Sequence, residues 1–213
     1  MGCAQRLNPL IHARLAGCRV AVDVQHLYRD GKHAGDRGAI FTLEGGARIA
    51  EVQATVLYAQ ALVEWLRSRG AEVLTNDPVH GIMVGPYSRR TAAADSWHPH
   101  AFLACHVNAG GGSYALAEYQ LAGLGQSLGD MIGAKLVERF PEIRAHKTDP
   151  IMPGGRGDVC VEGITRDIPA LVLEPFFGDT RRMQALFAHD RLVEIGEAIG
   201  EGIAVWWAQQ SKK

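Results

Sequence analysis

The 213-residue sequence predicts a single α/β domain, a largely parallel twisted sheet flanked by helices. Three observations carry this. Short apolar runs at 19–24, 101–105 and 170–173 have the length and bounding of buried strands. Stretches at 48–69, 121–140 and 191–209 repeat their apolar residues at helical spacing between and after those runs. No internal repeat and no low-complexity linker divides the chain.

The elements are justified in order. Residues 1–18 read as a loose lead, with the single folded domain over 19–213. Arg19-Val20-Ala21-Val22-Asp23-Val24 is the first strand. Residues 27–46 hold five glycines (31, 35, 38, 45 and 46) and read as a long loop of the kind that often carries function. The helix at 48–69 aligns Ile49, Val52, Val56, Ala59, Val63 and Leu66, and Gly70 closes it. A short strand follows at 72–75, then a turn-rich connection at 76–86 and a short helix at 88–95, broken by His98-Pro99. Ala101-Phe102-Leu103-Ala104-Cys105 is apolar without interruption, as a strand covered on both faces is. After Gly110-Gly111-Gly112, the pattern gives a helix at 121–140, a short strand at 159–161, the strand at 170–173, and closing helices at 181–187 and 191–209.

Composition bounds the function. Hydrophobic residues make up 47% and charged residues 21%, with a formal net charge of −1. These are globular values, without the clustered basic face that nucleic-acid binding requires. No apolar run has a membrane span's length. The four cysteines form no Cys-x-x-Cys pair, which speaks against a thiolate zinc site; Cys105 and Cys160 read as small buried hydrophobes, and a Cys3–Cys18 bridge stays open. The N-terminus lacks a signal peptide's apolar centre, so synthesis in the cytoplasm is expected.

The chemistry gathers at strand ends. His26 follows the first strand, His106 follows 101–105, and Glu174 follows 170–173. Sites of open α/β sheets form outside the carboxyl ends of their strands. Glu51, in the first turn of the helix at 48–69, starts at that same rim. A catalytic zinc takes about three N or O ligands and leaves one position for water. A further carboxylate accepts that water's proton. Glu174 follows four apolar residues, so part of its surroundings is expected to be dry, which would raise its pKa. Each residue also has an ordinary reading: a hydrogen-bonded structural His, or a Glu placed well for a helix dipole. Their joint placement favours the chemical one. His98-Pro99-His100 is a competing pair, expected at the opposite sheet edge. His33 lies in the glycine loop. His12, His80, His146 and His189 read as surface.

In these residues the chain resembles the zinc amidases that hydrolyse N-acetylmuramoyl-L-alanine, of the amidase_3 type. The family's Asp-Pro-Gly-His-Gly-Gly is met here by Asp23-Val24-Gln25-His26-Leu27-Tyr28. Its Asp-x-Gly-Ala is Asp36-Arg37-Gly38-Ala39, and its early helical Glu is Glu51. Its Arg-x-x-x-Ala-Asn becomes Arg90-Thr91-Ala92-Ala93-Ala94-Asp95. Its Ser-Ile-His-x-Asn-Ala becomes Ala104-Cys105-His106-Val107-Asn108-Ala109. Its Pro-Ala-Val-Leu-Val-Glu becomes Pro169-Ala170-Leu171-Val172-Leu173-Glu174. The resemblance implies that His26, Glu51 and His106 bind Zn2+ and that Glu174 is the catalytic carboxylate, acting on peptidoglycan. Asn108 and Arg90 are expected near substrate, with a bracing role for Arg90 and Asp95 as the alternative. The glycines around the first His are absent, so that loop is expected to take another path. Residues 147–158 are expected to flank the cleft as a glycine-rich loop. A carboxypeptidase-like zinc peptidase and an inactive wall-binding module are the rival readings. The setting expected is a phage lysis enzyme, or a bacterial enzyme whose signal has been removed.

Overall fold

The computed structural model describes residues 15–27, 36–76, 81, 83–121, 123–155 and 157–210. Eight strands are present among them: β1 Arg19–Val24, β2 Ile40–Thr42, β3 Arg48–Ala50, β4 Glu72–Thr75, β5 Ala101–Cys105, β6 Tyr114–Tyr119, β7 Ala145–Pro150 and β8 Ala170–Glu174. The helices are α1 Glu51–Ser68, α2 Tyr87–Trp97, α3 Gln126–Arg139, α4 Asp158–Val161 and α5 His189–Gln210, with a 3-10 helix at Arg181–Phe187.

Six strands form the main sheet in the order β4-β1-β5-β8-β6-β7. The first four run parallel, β6 is antiparallel to β8, and β7 is parallel to β6. This is the mostly parallel α/β domain that the sequence predicts. Register does the positioning. Val24 pairs with Cys105, and Cys105 with Leu173. Three neighbouring strands therefore end nearly level, and the residues after them leave from one rim.

Both sheet faces are covered, which is why β1, β5 and β8 are apolar in succession rather than alternately. Val22, Val24, Leu103, Cys105, Leu171 and Leu173 belong to the larger core, which α1, α3 and α5 close. Ala21, Phe102, Ala104, Ala170 and Val172 belong to a smaller one with Cys160 and Val161 of α4. Leu15 and Cys18, assigned by sequence to the lead, are fully buried in the larger core. Among the described residues, no helix is long and apolar enough to cross a membrane.

Several elements differ from expectation. Residues 48–50 are not the first turn of α1; they pair antiparallel with 40–42 as a small hairpin across the boundary of the expected loop and helix. β6 and β7 were not expected at all. Residues 121 and 123–125 stay outside α3, which begins at Gln126. Residues 158–161 form a helical turn rather than a strand, ending at Glu162 and Gly163. Gly70 does follow α1 with φ +89, and its N–H bonds the carbonyl of Arg67. Cys18, Cys105 and Cys160 are free and buried. Cys3, His12, His33 and His80 lie outside the described residues.

Candidate metal centre and active-site cleft

The centre is assembled from the rim inward. After β1, the Gln25 N–H still bonds the Cys105 carbonyl at 3.2 Å, so the chain stays on the ladder for one more residue. His26 then turns it with φ 59, the left-handed bend that a glycine would ordinarily take. The Gln25 side chain, fully buried, donates to Asp23 at 2.6 Å.

His26 presents Nε2 to Oε2 of Glu51 at 3.4 Å, while its Nδ1 is held 3.3 Å from Asp36. A carboxylate on one imidazole nitrogen fixes the tautomer and leaves the other nitrogen as a donor atom for a cation. Asp36 in turn accepts the Gly38 N–H at 2.9 Å. Glu51 opens α1 and is almost fully buried. Its Oε2 accepts the Ala39 N–H at 2.9 Å and its Oε1 the Val107 N–H at 3.0 Å. His106 leaves β5 with its N–H on the Leu173 carbonyl at 2.9 Å, and its own carbonyl accepts the Tyr58 hydroxyl at 2.8 Å. Its Nδ1 lies 2.9 Å from Oε1 of Glu51, and its Nε2 3.6 Å from Sγ of Cys160.

One donor atom from each of His26, Glu51 and His106 lies within 4.8 Å of the others. Ligands at zinc's usual bond lengths stand about 3.3 Å apart around a tetrahedron. Two imidazole nitrogens and a carboxylate oxygen within 4.8 Å of one another are near enough to that spacing for small side-chain shifts to close them on one ion, so the donor set fits a single divalent cation in chemistry and in approximate spacing. Without a cation, the three groups satisfy each other. Burial pushes the Glu51 carboxyl up, but hydrogen bonds from His106 and His26 outweigh it and hold Glu51 far below the usual carboxylate range. Burial likewise pushes His26 down, and its bonds to Glu51 and Asp36 more than reverse this, so it titrates above an ordinary histidine.

Glu174 ends β8 and lines one cleft of about 570 Å³ with His26, Glu51, His106 and Asn108. Asn108 also ties that wall together: its N–H bonds the Phe176 carbonyl at 3.0 Å and its side-chain oxygen accepts the Ala109 N–H at 2.7 Å. Among the lining residues that the sequence reading missed, two carry reactive or charged groups. Cys160 on α4 touches the His106 ring, and Glu118 on β6 brings a further carboxylate. A period-two reading of Tyr114, Leu116 and Glu118 is the signal that would have found the second.

Arg90 is a correction. It is 1% exposed and does not reach the cleft. It donates to Asp23 at 2.7 Å and to the Gly85 carbonyl at 2.8 Å, with its guanidinium 4.9 Å from the Tyr87 ring centre. Nor does it brace α2 through Asp95, whose carboxylate accepts the Thr165 N–H at 2.7 Å. His98 and His100 sit at the amino end of β5, away from the centre, in a separate hollow with Trp206 and Trp207. His146 and His189 are exposed, as expected.

Such a sheet, with two imidazoles and two carboxylates converging on a cleft at its strand-end rim, defines the class: an α/β protein built for hydrolysis. Residues 20–205 match the family described as N-acetylmuramoyl-L-alanine amidase, Amidase_3, and the chain belongs to that family. It is an enzyme of the kind that hydrolyses the amide bond between N-acetylmuramic acid and L-alanine in peptidoglycan. Among solved structures it is similar to Cwp6 from Clostridium difficile, with 26% identity and a TM-score of 0.70 over 88% of this chain and 29% of that one. The chain thus spans under a third of the length of Cwp6. It is similar in fold to N-acetylmuramoyl-L-alanine amidase AmiC2 of Nostoc punctiforme, with 16% identity and a TM-score of 0.71, over 90% and 97% of the two chains. The same holds for the amidase Ami1 from Mycobacterium smegmatis, with 16% identity and a TM-score of 0.69, over 92% and 99%. A comparison with curated protein sequences returns no match.

Proposed function

We propose that this amidase is zinc-dependent, that His26, Glu51 and His106 hold the ion, and that Glu174 is the catalytic carboxylate. The observation that carries the reading is the His26–Glu51–His106 donor cluster, with Glu174 on the wall of the same cleft. Zinc at these donors supplies a Lewis acid for the amide carbonyl oxygen and makes water more acidic.

The chain's own residues do the rest. Asp36 keeps the His26 proton on Nδ1, so Nε2 faces the cluster as a lone pair. The Val107 and Ala39 N–H groups hold both Glu51 oxygens in place. Glu174 takes a proton from the attacking water as the oxygen–carbon bond forms. It returns the proton to the L-alanine nitrogen as the carbon–nitrogen bond breaks, releasing a lactyl carboxylate and a free amine. Peptidoglycan is the substrate, and Asn108, on the wall of the same cleft, helps to hold it.

Metal analysis and wall digestion on four proteins test this. The wild type should hold one zinc per chain and digest purified wall, exposing new L-alanine amino termini. His106→Ala should lose the metal. Glu174→Ala should keep the metal and lose at least a hundredfold in rate, the usual scale for removing a general base. His100→Ala should keep both. Full digestion by Glu174→Ala would remove the proposed mechanism, and a released carboxy-terminal amino acid would make the protein a carboxypeptidase-like enzyme.

A further inference from the structure

We propose that Glu118 is a specificity residue of the cleft, binding the free side-chain ammonium of an uncross-linked stem peptide; this rests on the amidase reading above. The sheet supplies the placement. Leu116 of β6 pairs with Glu174 and Glu118 pairs with Val172. Side chains alternate along a strand, so Glu118 and Glu174 share one face of the sheet, both lining the cleft. The pleat repeat and the strand spacing separate their Cα atoms by about 8 Å, roughly two to three residues of extended peptide. A stem leaving the scissile amide at Glu174 reaches Glu118 with its third residue. A diamino acid at that position would present a side-chain ammonium, which is lost when the amine is acylated by a cross-link to a neighbouring stem.

Among the described residues, no Lys or Arg lines the cleft beside Glu118. Among the described residues it has no hydrogen-bond or ion-pair partner, although it is half-buried, and polar groups in such places are ordinarily satisfied. Its Oε2 lies close against the 157 backbone, where a β-carbon on Gly157 would stand 3.2 Å from it. Asp149 of β7 is its direct neighbour across the strand pair, an unfavourable like-charge juxtaposition. Burial first, and Asp149 second, hold the Glu118 carboxyl above its usual range, with His106 opposing them. The described cleft residues include Asp36, Glu51, Glu118 and Glu174 and neither Lys nor Arg. Asp36 and Glu51 are engaged with the imidazoles, which leaves the Glu118 arm as the region where a cation is favoured. The described residues form one three-donor metal cluster, and Glu118 is outside it.

Two soluble muropeptides, identical except that the side-chain amine of the third residue is free or N-acetylated, decide the matter. The zinc-loaded wild type should prefer the free amine by about tenfold in kcat/KM, mainly through KM, and the preference should shrink as salt is raised. Glu118→Gln should bring the ratio to about one with zinc content retained. Glu64→Gln, on the exposed side of α1, should leave the ratio as in the wild type. A wild-type ratio of one, or a preference that survives in Glu118→Gln, overturns the inference while the amidase reading stands. Cleavage of neither muropeptide overturns both.

Discussion

Gly38 lies so close to Glu51 that a β-carbon at Gly38 would collide with the Glu51 carboxylate and stand 2.7 Å from the His26 ring. Its φ is +71, so the backbone also asks for glycine. The close approach lets the neighbouring Ala39 N–H bond Oε2 of Glu51 at 2.9 Å. Gly38→Ala therefore carries about 1–2 kcal/mol of left-handed strain and displaces the Glu51 carboxylate. Zinc affinity, measured by competition with a chelator, should fall at least tenfold while the circular dichroism spectrum stays native. An unchanged affinity would mean that the loop at 36–39 does not set the position of Glu51.

The centre also predicts a pH response, with opposite signs for the two kinds of group. Glu51 is depressed from an ordinary 4.5, so its stabilising bonds are fully present above that value and are lost as pH falls below it. His26 is raised from 6.5, so its contribution is present below 6.5 and is lost as pH rises through the higher folded value. The metal-free protein should gain most from this cluster between those two values, with Tm declining as pH rises from about 6 to 8. Under the proposed ligation zinc would compete with the proton on His26, so the Tm increase on adding zinc should grow over the same interval. Thermal melts with zinc and with chelator check this. A zinc effect that is flat across the interval would exclude His26 as a ligand.

The buried pair of Arg90 and Asp23 belongs to the scaffold. At 1% and 0% exposure both charges have left water, and each depends on the other. Burial still dominates at Asp23 and keeps its carboxyl above the usual range despite Arg90. Arg90→Met strands that carboxylate and should cost about 3–5 kcal/mol, whereas Asp23→Asn combined with Arg90→Met should recover a large part. Urea denaturation of the three proteins measures both. A stable Arg90→Met enzyme with a raised KM alone would restore Arg90 to a substrate role.

What was legible in the sequence follows from where the signals are concentrated. β1, β5 and β8 are apolar runs because both faces of the central sheet are covered, and each leads to a residue with recognisable chemistry. His26, His106 and Glu174 could therefore be placed at one rim before any coordinates. β6 was hidden because Tyr-Ala-Leu-Ala-Glu-Tyr mixes strand formers with Ala, Leu and Glu, which favour helix. β7 is an edge strand, largely exposed, and Ala-His-Lys-Thr-Asp-Pro shows no apolar face. Glu118 was lost with β6. Arg90 was misplaced because its partner, Asp23, is 67 residues away and on another element. The hairpin of β2 and β3 is three residues a side, too short for periodicity to show.

The packing of α5 offers a prediction in which local propensity and tertiary fit oppose each other. Gly202 faces α3 so closely that a β-carbon would stand 2.5 Å from Cα of Ile132 and 2.8 Å from its backbone nitrogen. Gly200 meets Trp65 of α1 in the same way, its β-carbon position 2.5 Å from the indole. In an isolated helix, Gly202→Ala would gain about 1 kcal/mol. Here the obstacle is backbone, which no rotamer change relieves, and α5 must move off α3. Overpacking of that kind costs about 1–3 kcal/mol and opens contacts along both helices, so the net change should be destabilising. Gly202→Ala should lower the denaturation midpoint, with kcat/KM per folded molecule unchanged, because the described part of α5 contributes nothing to the cleft wall. A variant more stable than the wild type would show that α5 and α3 are not in backbone-limited contact at this point.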